Sequence, residues 1–423
     1  MNTLFVKLSS VLADKVLRKR IFITLLLLVV FRLLSIIPIP GIDTSRLATF
    51  FSGNQLLGLL NIFSGGSLAQ LSVVMLGVGP YITASIIMQL MTLIFPRMKA
   101  MYQEEGNAGR MKFAQYSRML TIPLAIIQSF SFLTLLERQG VINQLDPIAF
   151  VINILIVTAG SILLMWIGER ISEFGIGNGL SLIIFAGIVA RLPLTIVQLA
   201  YGFDSSKLPV YIALVVASLV IIYAVVIITE AERPIPVTYA KRVRGNKVYG
   251  GVSTYLPLRL NQSGVIPIIF ALSLLVFPQI LFRFLAQVNN ARIRGISMWV
   301  DTTLQNQWVY GILYFVLVFA FTYFYTAVTF DPQTLSSNLQ KNGAFIPGVR
   351  PGQSTALHIS HILTRLTAFG ALFLGIIAIL PLIVRGLTGI TALAVGGTAL
   401  LIVVSVVIDL IKKLEAQVSM QEY

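Results

Sequence analysis

Cysteine does not occur anywhere in this chain. Disulfides, thiolate metal sites and cysteine nucleophiles are excluded at once. Histidine occurs twice, at His358 and His361. Three apart on a helix they share one face, but no H-E-x-x-H pattern or carboxylate pair accompanies them, so they read as interfacial residues at a helix start rather than as metal ligands. A Gly-Lys pair is also missing, and with it the phosphate-binding loop that such a pair builds. The run Gly175-Ile176-Gly177-Asn178-Gly179 is glycine-rich but follows an apolar stretch rather than a strand, and it reads as a tight turn. Negative charge is scarce: sixteen carboxylates stand against thirty-one Lys and Arg. All sixteen fall in connections or near the ends of apolar stretches, from Asp14 and Asp43 through Glu104, Glu105, Glu169, Glu173, Glu230 and Glu232 to Asp409. An ion-coupled transporter or an intramembrane aspartyl protease holds its proton or ion with a charge at membrane depth. With none placed there, the chain is expected to be neither an enzyme nor a cofactor binder, and whatever passes through it is driven from outside.

What the chain does have is apolar residues, gathered into ten stretches: roughly Ile21 to Ile37, Leu71 to Phe95, Tyr116 to Leu136, Ile148 to Ile167, Leu180 to Leu199, Pro209 to Thr229, Val265 to Phe284, Trp308 to Phe330, Ile362 to Val384 and Thr391 to Ile411. Most reach the ~20 residues that a bilayer core requires. The expected fold is therefore all-α, a polytopic membrane protein of ten transmembrane helices. No cleavable leader pattern accompanies the first stretch, which is expected to stay as a span. Lys and Arg collect on every second connection, twenty-two on the side of the termini against eight on the other. By the positive-inside rule both termini are then cytoplasmic. Arg32 lies inside the first stretch and reads as snorkelling or bonding carbonyls. The net charge of +15 would suggest nucleic acid in a soluble protein. Here it sits on loops beside apolar spans, which points to anionic lipid and cytoplasmic protein surfaces.

Ten spans divide into five and five, residues 1–200 and 201–423, and an odd repeat unit forces the second half into the membrane in the opposite sense. Gly77-Val78-Gly79-Pro80 and Gly264-Val265-Ile266-Pro267 open corresponding spans, and their prolines are expected to free backbone groups and bend both helices. Ahead of the second span, the segment Gln55 to Ser67 is apolar enough to enter a membrane but too short to cross. It is either a helix lying on the outer surface or a re-entrant half-helix buried in a channel. Two long connections stand out. Residues 230–263 carry Arg233, Lys241, Arg242, Arg244, Lys247 and Arg259 among Tyr239, Val248, Tyr249 and Tyr255, either a solvated basic hairpin or a docking surface. Residues 331–355 hold Phe345-Ile346-Pro347-Gly348-Val349-Arg350-Pro351-Gly352, where prolines and glycines stiffen and expose the loop around one guanidinium, an arrangement suited to docking a partner.

Over nearly its whole length the chain resembles the bacterial SecY family, the central subunits of protein-translocation channels. The resemblance is carried by Ile37-Pro38-Ile39-Pro40-Gly41-Ile42-Asp43, Phe63-Ser64-Gly65-Gly66, Pro80-Tyr81-Ile82-Thr83-Ala84-Ser85-Ile86-Ile87, the Gly175 to Gly179 turn with Ile183 to Val189, Tyr239-Ala240-Lys241-Arg242, Ser253 to Leu258, Gly264-Val265-Ile266-Pro267, the Arg350 loop and Gly396 to Val404. It implies a channel for unfolded secretory polypeptides, with a pore between the halves and a lateral gate to lipid between the second and seventh spans. It also implies a plug, matched here by Leu57, Leu60, Asn61, Ile62, Phe63, Ser64, Gly65 and Gly66. The family's ring of aliphatic side chains at the waist matches Val78, Ile82, Ile184, Ile269 and Ile402, with Val78 standing where relatives often have isoleucine. Branched aliphatics suit such a ring because they bind no ion, dewet when apposed, and part around a passing chain. Lys241, Arg242, Arg244, Lys247 and Arg350 match docking sites for the SecA motor ATPase or a ribosome; many relatives carry adjacent arginines where this chain has Asn246-Lys247. SecE-like and SecG-like small membrane subunits, signal peptides, unfolded preproteins and membrane lipids are the other implied partners, and the bacterial cytoplasmic membrane is the implied location. The rival readings are an ion-coupled secondary transporter and a membrane hydrolase, against which the absent mid-membrane carboxylate and absent catalytic pairs weigh.

The charge bias generates a direct prediction. Single cysteines placed at Lys241 and Arg350 on this cysteine-free background should escape a membrane-impermeant maleimide added outside sealed cells. Labelling at either position overturns the topology.

Overall fold

The computed structural model describes residues 14–40, 64, 66–138, 140–190, 193, 197, 201, 208–240, 242–244, 247–249, 253–285, 291–388 and 396–419. Helices dominate them. The first half contains α1 (Lys15–Leu34), α2 (Gly79–Ile94), α3 (Pro96–Gln103), α4 (Gly106–Arg138), α5 (Pro147–Phe174) and α6 (Gly179–Val189). After α7 (Leu208–Glu230) come four strands, β1 (Glu232–Tyr239), β2 (Arg242–Arg244), β3 (Lys247–Tyr249) and β4 (Ser253–Arg259). The chain continues through α8 (Ile266–Leu285), α9 (Ala291–Gln305), α10 (Gln307–Thr329), α11 (Pro332–Lys341), β5 (Ala344–Phe345), α12 (Gln353–Thr388) and α13 (Gly396–Ser419).

Each of the ten apolar stretches contains described helix. By length and hydropathy, five helical runs among the described residues qualify as membrane spans: α4, α5, Tyr211–Glu230 of α7, Gln307–Lys341, and Gln353–Leu380 of α12. The α2–α3 pair makes a sixth if counted as one span, although it bends by 113° between Ile94 and Pro96. Phe95 is extended there, as the residue before a proline prefers to be. Shorter apolar helices are α6 and Ile266–Leu275 of α8. The expected turn after α5 is present: Gly177 takes φ 88°, and the Asn178 side chain accepts from the amides of Leu180 and Ser181 to start α6, a standard N-cap.

Three expectations need correction. The chain is not all-α: β1 pairs antiparallel with β4, from Glu232 opposite Arg259 to Thr238 opposite Ser253, and β2 pairs with β3 at the hairpin tip. Ile235 and Val237 are buried while Pro234 and Pro236 are exposed, the two-residue alternation of a strand with one covered face. Second, the Gly-Val-x-Pro prolines start helices instead of bending them. Pro80 lies within the first turn of α2 and Pro267 follows the first residue of α8, where a missing N–H has no intrahelical partner to lose. Third, helix does not begin at Leu71. Residues 71–78 form turns, with Leu71 in the left-handed region at φ 43°.

Those turns lie among apolar helices, so their polar backbone needs partners inside the protein. It has them. Amides of Ser72, Met75 and Gly77 bond Ser67 O, Ser72 O and Val74 O at 3.1, 2.9 and 2.8 Å. The chain after α1 adds a short bridge: Val73 N donates to Ile37 O at 3.0 Å, and Ile39 N to Leu71 O at 2.9 Å. Leu68, Leu71 and Met75 pack with Ile39 against Phe132, Leu133 and Leu136 of α4 and Ile154 and Val157 of α5.

One contact makes this packing testable. A Cβ on Gly160 of α5 would fall inside contact distance of the Val73 carbonyl oxygen, so α5 lies flush on the turn only because that residue is glycine. Gly160→Val should therefore destabilise by at least the ~1–3 kcal/mol typical of overpacking, read as a lower melting temperature in detergent. Gly295→Ala, where a Cβ meets nothing, is the control. Equal melting temperatures for the two variants would refute the account.

Candidate functional site

The two Gly-Val-x-Pro segments build the same local structure. Gly77 and Gly264 adopt φ 60° and 61°, a left-handed conformation that glycine takes without a Cβ penalty. Each is followed by a buried valine, Val78 or Val265, whose carbonyl accepts from the amide four residues on, Ile82 or Ile269. Both isoleucines therefore sit one turn into a helix, at matching places. Ile184 comes from α6 and Ile402 from α13. Four helices thus bring the five aliphatic side chains into one apolar cluster. Their exposures are 1% for Val78, 6% for Ile82, 1% for Ile184, 5% for Ile269 and 1% for Ile402, so none of them lines an open aqueous path. Without a hydrogen-bonding atom, such a cluster excludes water and ions.

Around it, α2 touches α8, α8 also touches α4, and α6 touches α13. The segment before α2 packs against the cluster through Val74. Of the plug residues expected from sequence, Leu57, Leu60, Asn61, Ile62, Phe63 and Gly65 lie outside the described residues. Ser64 and Gly66 lie within them. Ser64 is buried and its hydroxyl accepts from Leu68 N at 3.1 Å, while Gly66 is left-handed at φ 88°. The hydroxyl of buried Ser67 donates to Val74 O at 2.9 Å and also to Ser64 O. This end of the expected plug segment is thus tied directly to the turn that leads into Val78.

A second arrangement lies at the opposite end of α8 from α9. Here β5 adds to β1, Thr238 opposite Phe345 and Tyr239 opposite Ala344, giving the strand order β4-β1-β5. The two long connections that looked separate in sequence are one platform. Ile235, Val237, Leu258, Ala344, Ile346 and Ile359 form its core. Arg350 is exposed on it, in a loop fixed by Thr355 Oγ1 donating to Arg350 O at 2.9 Å, by Ser336 Oγ donating to Gly352 O at 2.6 Å, and by left-handed Gly348 and Gly352. Arg242, Arg244 and Lys247 fall on strands β2 and β3, and Lys241 lies outside the described residues.

Sequence reading missed Glu232. Its carboxylate meets Arg259 Nε at 3.3 Å and reaches Lys412 Nζ at 4.0 Å, so the base of the β1–β4 hairpin contacts the last helix. Lys413 pairs with Asp409 at 2.8 Å one turn away. Nearby, a polar cavity of about 260 Å³ is lined by Asn178, Ser181, Asn261, Ser405 and Lys412 among others. Exposed pairs like these contribute little stability, about 0–1 kcal/mol each. Their significance is positional, because α13 also carries Ile402, ten residues or about 15 Å along the helix from Lys412.

The sequence profile of the SecY family matches residues 72–411. Similar proteins include the protein translocase subunit SecY of Mycobacterium tuberculosis, 41% identical over 432 residues and 96% of each chain, and that of Synechococcus elongatus, 43% identical over 415 residues, 96% of this chain and 93% of the relative. Among solved structures, one of a protein-conducting channel superposes with a TM-score of 0.67 at 19% identity, covering 96% of this chain and 94% of that one. The channel in a canine ribosome-channel complex from the endoplasmic reticulum gives 0.63 at 18% identity, with 96% and 94% covered. At these identities the structural likeness speaks for the fold.

Proposed function

This chain belongs to the SecY family and is a protein-conducting translocation channel, and from that premise we propose how its parts work. The observation that carries the reading is the convergence of Val78, Ile82, Ile184, Ile269 and Ile402, drawn from four helices, in one buried apolar cluster. In this proposal the five are the waist of the pore in its resting state, and α2 and α8, which touch beside it, are the two sides of a lateral gate. Residues 1–200 and 201–423 are two inverted halves of five spans. The matching Gly77 and Gly264 turns, each setting an isoleucine one turn into its helix, support that pairing. An ion-coupled transporter is not supported.

Translocation and insertion then differ only in where a segment finds its lowest free energy. A segment at the open gate partitions into lipid when its transfer is favourable, by a few tenths of a kcal/mol for each central leucine, and is held back by about 3 kcal/mol for a central lysine. The plug, Leu57 to Gly66, closes the waist from the far side. The tie from Ser64 and Ser67 into the turn before Val78 supports its placement against the ring.

The platform of β1, β4 and β5 is the proposed docking surface for a SecA-type motor or a ribosome, with Arg350 central, Arg242, Arg244 and Lys247 at the hairpin tip, and Lys241 grouped with them by sequence. Its exposed, braced guanidinium supports this. SecE-like and SecG-like subunits, signal peptides, unfolded preproteins and membrane lipids complete the partners. The proposed setting is a bacterial cytoplasmic membrane with both termini and the platform inside, in keeping with the basic bias. No cofactor takes part; the energy comes from the docked partner.

Two outcomes are expected. Ile82, Ile184 and Ile402 replaced together by serine should raise passive ion flux through reconstituted vesicles by about tenfold or more, because hydroxyls hydrate a constriction that aliphatics keep dry. Replacement of the same three by leucine should stay tight. A well-folded serine variant that does not leak removes the ring. Arg350→Glu should stop motor-driven transport of a secretory precursor while leaving vesicles ion-tight, since it reverses an exposed charge and disturbs no packed span. Normal transport by that variant removes the docking assignment.

A further inference from the structure

We propose that α9 is an in-plane anchor in the leaflet remote from the platform, with its outward face seated among anionic phospholipid headgroups. The inference rests on the reading of α8 and α10 as membrane spans. Its position follows from connectivity. The platform end of α8 is its start, just after β4, and the platform end of α10 is its finish, just before α11 and β5. Helix α9 joins the other two ends and touches both helices. It therefore sits at the level where the spans leave the hydrocarbon.

The helix is amphipathic, but its large apolar side chains do not all turn inward. Ser297 is buried and Val300 and Leu304 are half-buried against the protein. Opposite that stripe Met298 at 50%, Trp299 at 68% and Arg292 are exposed, with Ile296 at 62% and Arg294 exposed on the two flanks. Asp301 is half-buried and stands seven residues from Arg294, on the same stripe of the helix, so the outermost face, centred on Trp299, carries Arg292 and apolar side chains, while Arg294 and Asp301 share its margin. That composition matches lipid headgroups: arginine forms charge-assisted hydrogen bonds with phosphate, and the apolar side chains enter the acyl boundary. Tryptophan supports the same level. The chain has three, and Trp299 and Trp308, at 68% and 77% exposed, flank the α9–α10 junction, as an interfacial aromatic belt would place them. The partner is lipid rather than protein because the exposed face continues onto that junction, where Trp308, Ile312, Phe315, Ile379 and Ile383 line an apolar groove of about 590 Å³ open at the surface of the spans. Since α9 is attached to α8, which carries Ile269, the anchor ties one side of the proposed gate to the lipid surface.

The test uses two of the three tryptophans, one at a time. A protein with Trp299 alone, made with Trp166→Phe and Trp308→Phe, is reconstituted in phosphatidylcholine vesicles mixed with phosphatidylglycerol. Its fluorescence should be quenched by lipids brominated high on the acyl chain and shielded from aqueous iodide. Iodide quenching without bromolipid quenching, or neither, overturns the anchor. A protein with Trp308 alone separates the two levels of inference: if it too escapes bromolipid, the reading of α10 as a span fails, whereas Trp308 quenched with Trp299 unquenched refutes the anchor alone. Headgroup recognition is read separately. Bromolipid quenching of Trp299 should rise roughly twofold on adding phosphatidylglycerol, since basic residues near an anionic surface gain attraction. Arg292→Glu with Arg294→Glu should abolish that rise. A response unaffected by the substitutions refutes recognition of anionic headgroups.

Discussion

The constraint on which the rest depends is that backbone polar groups surrounded by lipid or apolar protein must find partners within the chain. Helices meet it by themselves, and most of this structure is helix. The exception is the run from Ser64 to Val78, which turns repeatedly between apolar helices. There many of the amides and carbonyls are bonded by Ser64, Ser67 and one another, and by the short bridge to the chain after α1. In the proposed reading, that solution builds the seal. A continuous helix through Leu71 would have carried Val78 past the cluster, whereas the turns end at left-handed Gly77 and set Val78 and Ile82 beside Ile184 and Ile402.

A second consequence is that the strand platform and the aliphatic cluster are joined through shared helices. The strand pairing of β1 with β5 makes a single rigid platform out of two connections. From its base one route leads through β4 into α8 and Ile269, and another leads through Glu232 to Lys412 on α13 and so to Ile402. Two of the five ring positions are thus on helices that meet the platform directly. A partner that shifted the platform would move them together. Coupling of this kind needs no long chain of side chains, because helices transmit displacement as rigid bodies over distances of about 15 Å.

How much of this was legible in the sequence depended on the range of the interaction. The apolar stretches, the basic bias and the Gly175 to Gly179 turn are local patterns, and helix appears in every expected stretch. The five aliphatics were named only through resemblance, since an isoleucine in a span has no feature that separates pore from lipid, whereas the stiffened loop around Arg350 pointed to docking from its own residues. The platform was not legible. Pro234 and Pro236 disguise β1, because proline normally argues against a strand with neighbours on both sides; here β5 pairs only at Thr238 and Tyr239, leaving the prolines on an open edge. Strand β5 has two residues and no local signal at all. Glu232 looked like one more loop carboxylate, and only the fold brings Lys412 to it. The prolines of the paired motif were misjudged because their effect depends on whether a helix has already begun, which is set by the glycine before them.

The closed state can be firm against ions and still easy to open. Between helices in lipid there is no hydrophobic force of the kind that holds a soluble core, because a leucine on one helix is as well solvated by an acyl chain as by its neighbour. Parting α2 from α8 exchanges protein contacts for lipid contacts of similar strength. The dispersion lost at any pair of atoms is only about 0.1–0.2 kcal/mol. Wetting the ring is different, for water or an ion placed among five buried aliphatics loses hydrogen bonds that nothing there replaces. In the proposed ring the same side chains would resist an ion strongly and a polypeptide weakly, because an apolar segment brings its own contacts and asks for no hydration. Selectivity of this kind, in the proposed ring, comes from side chains that offer neither charge nor hydrogen bond to what passes.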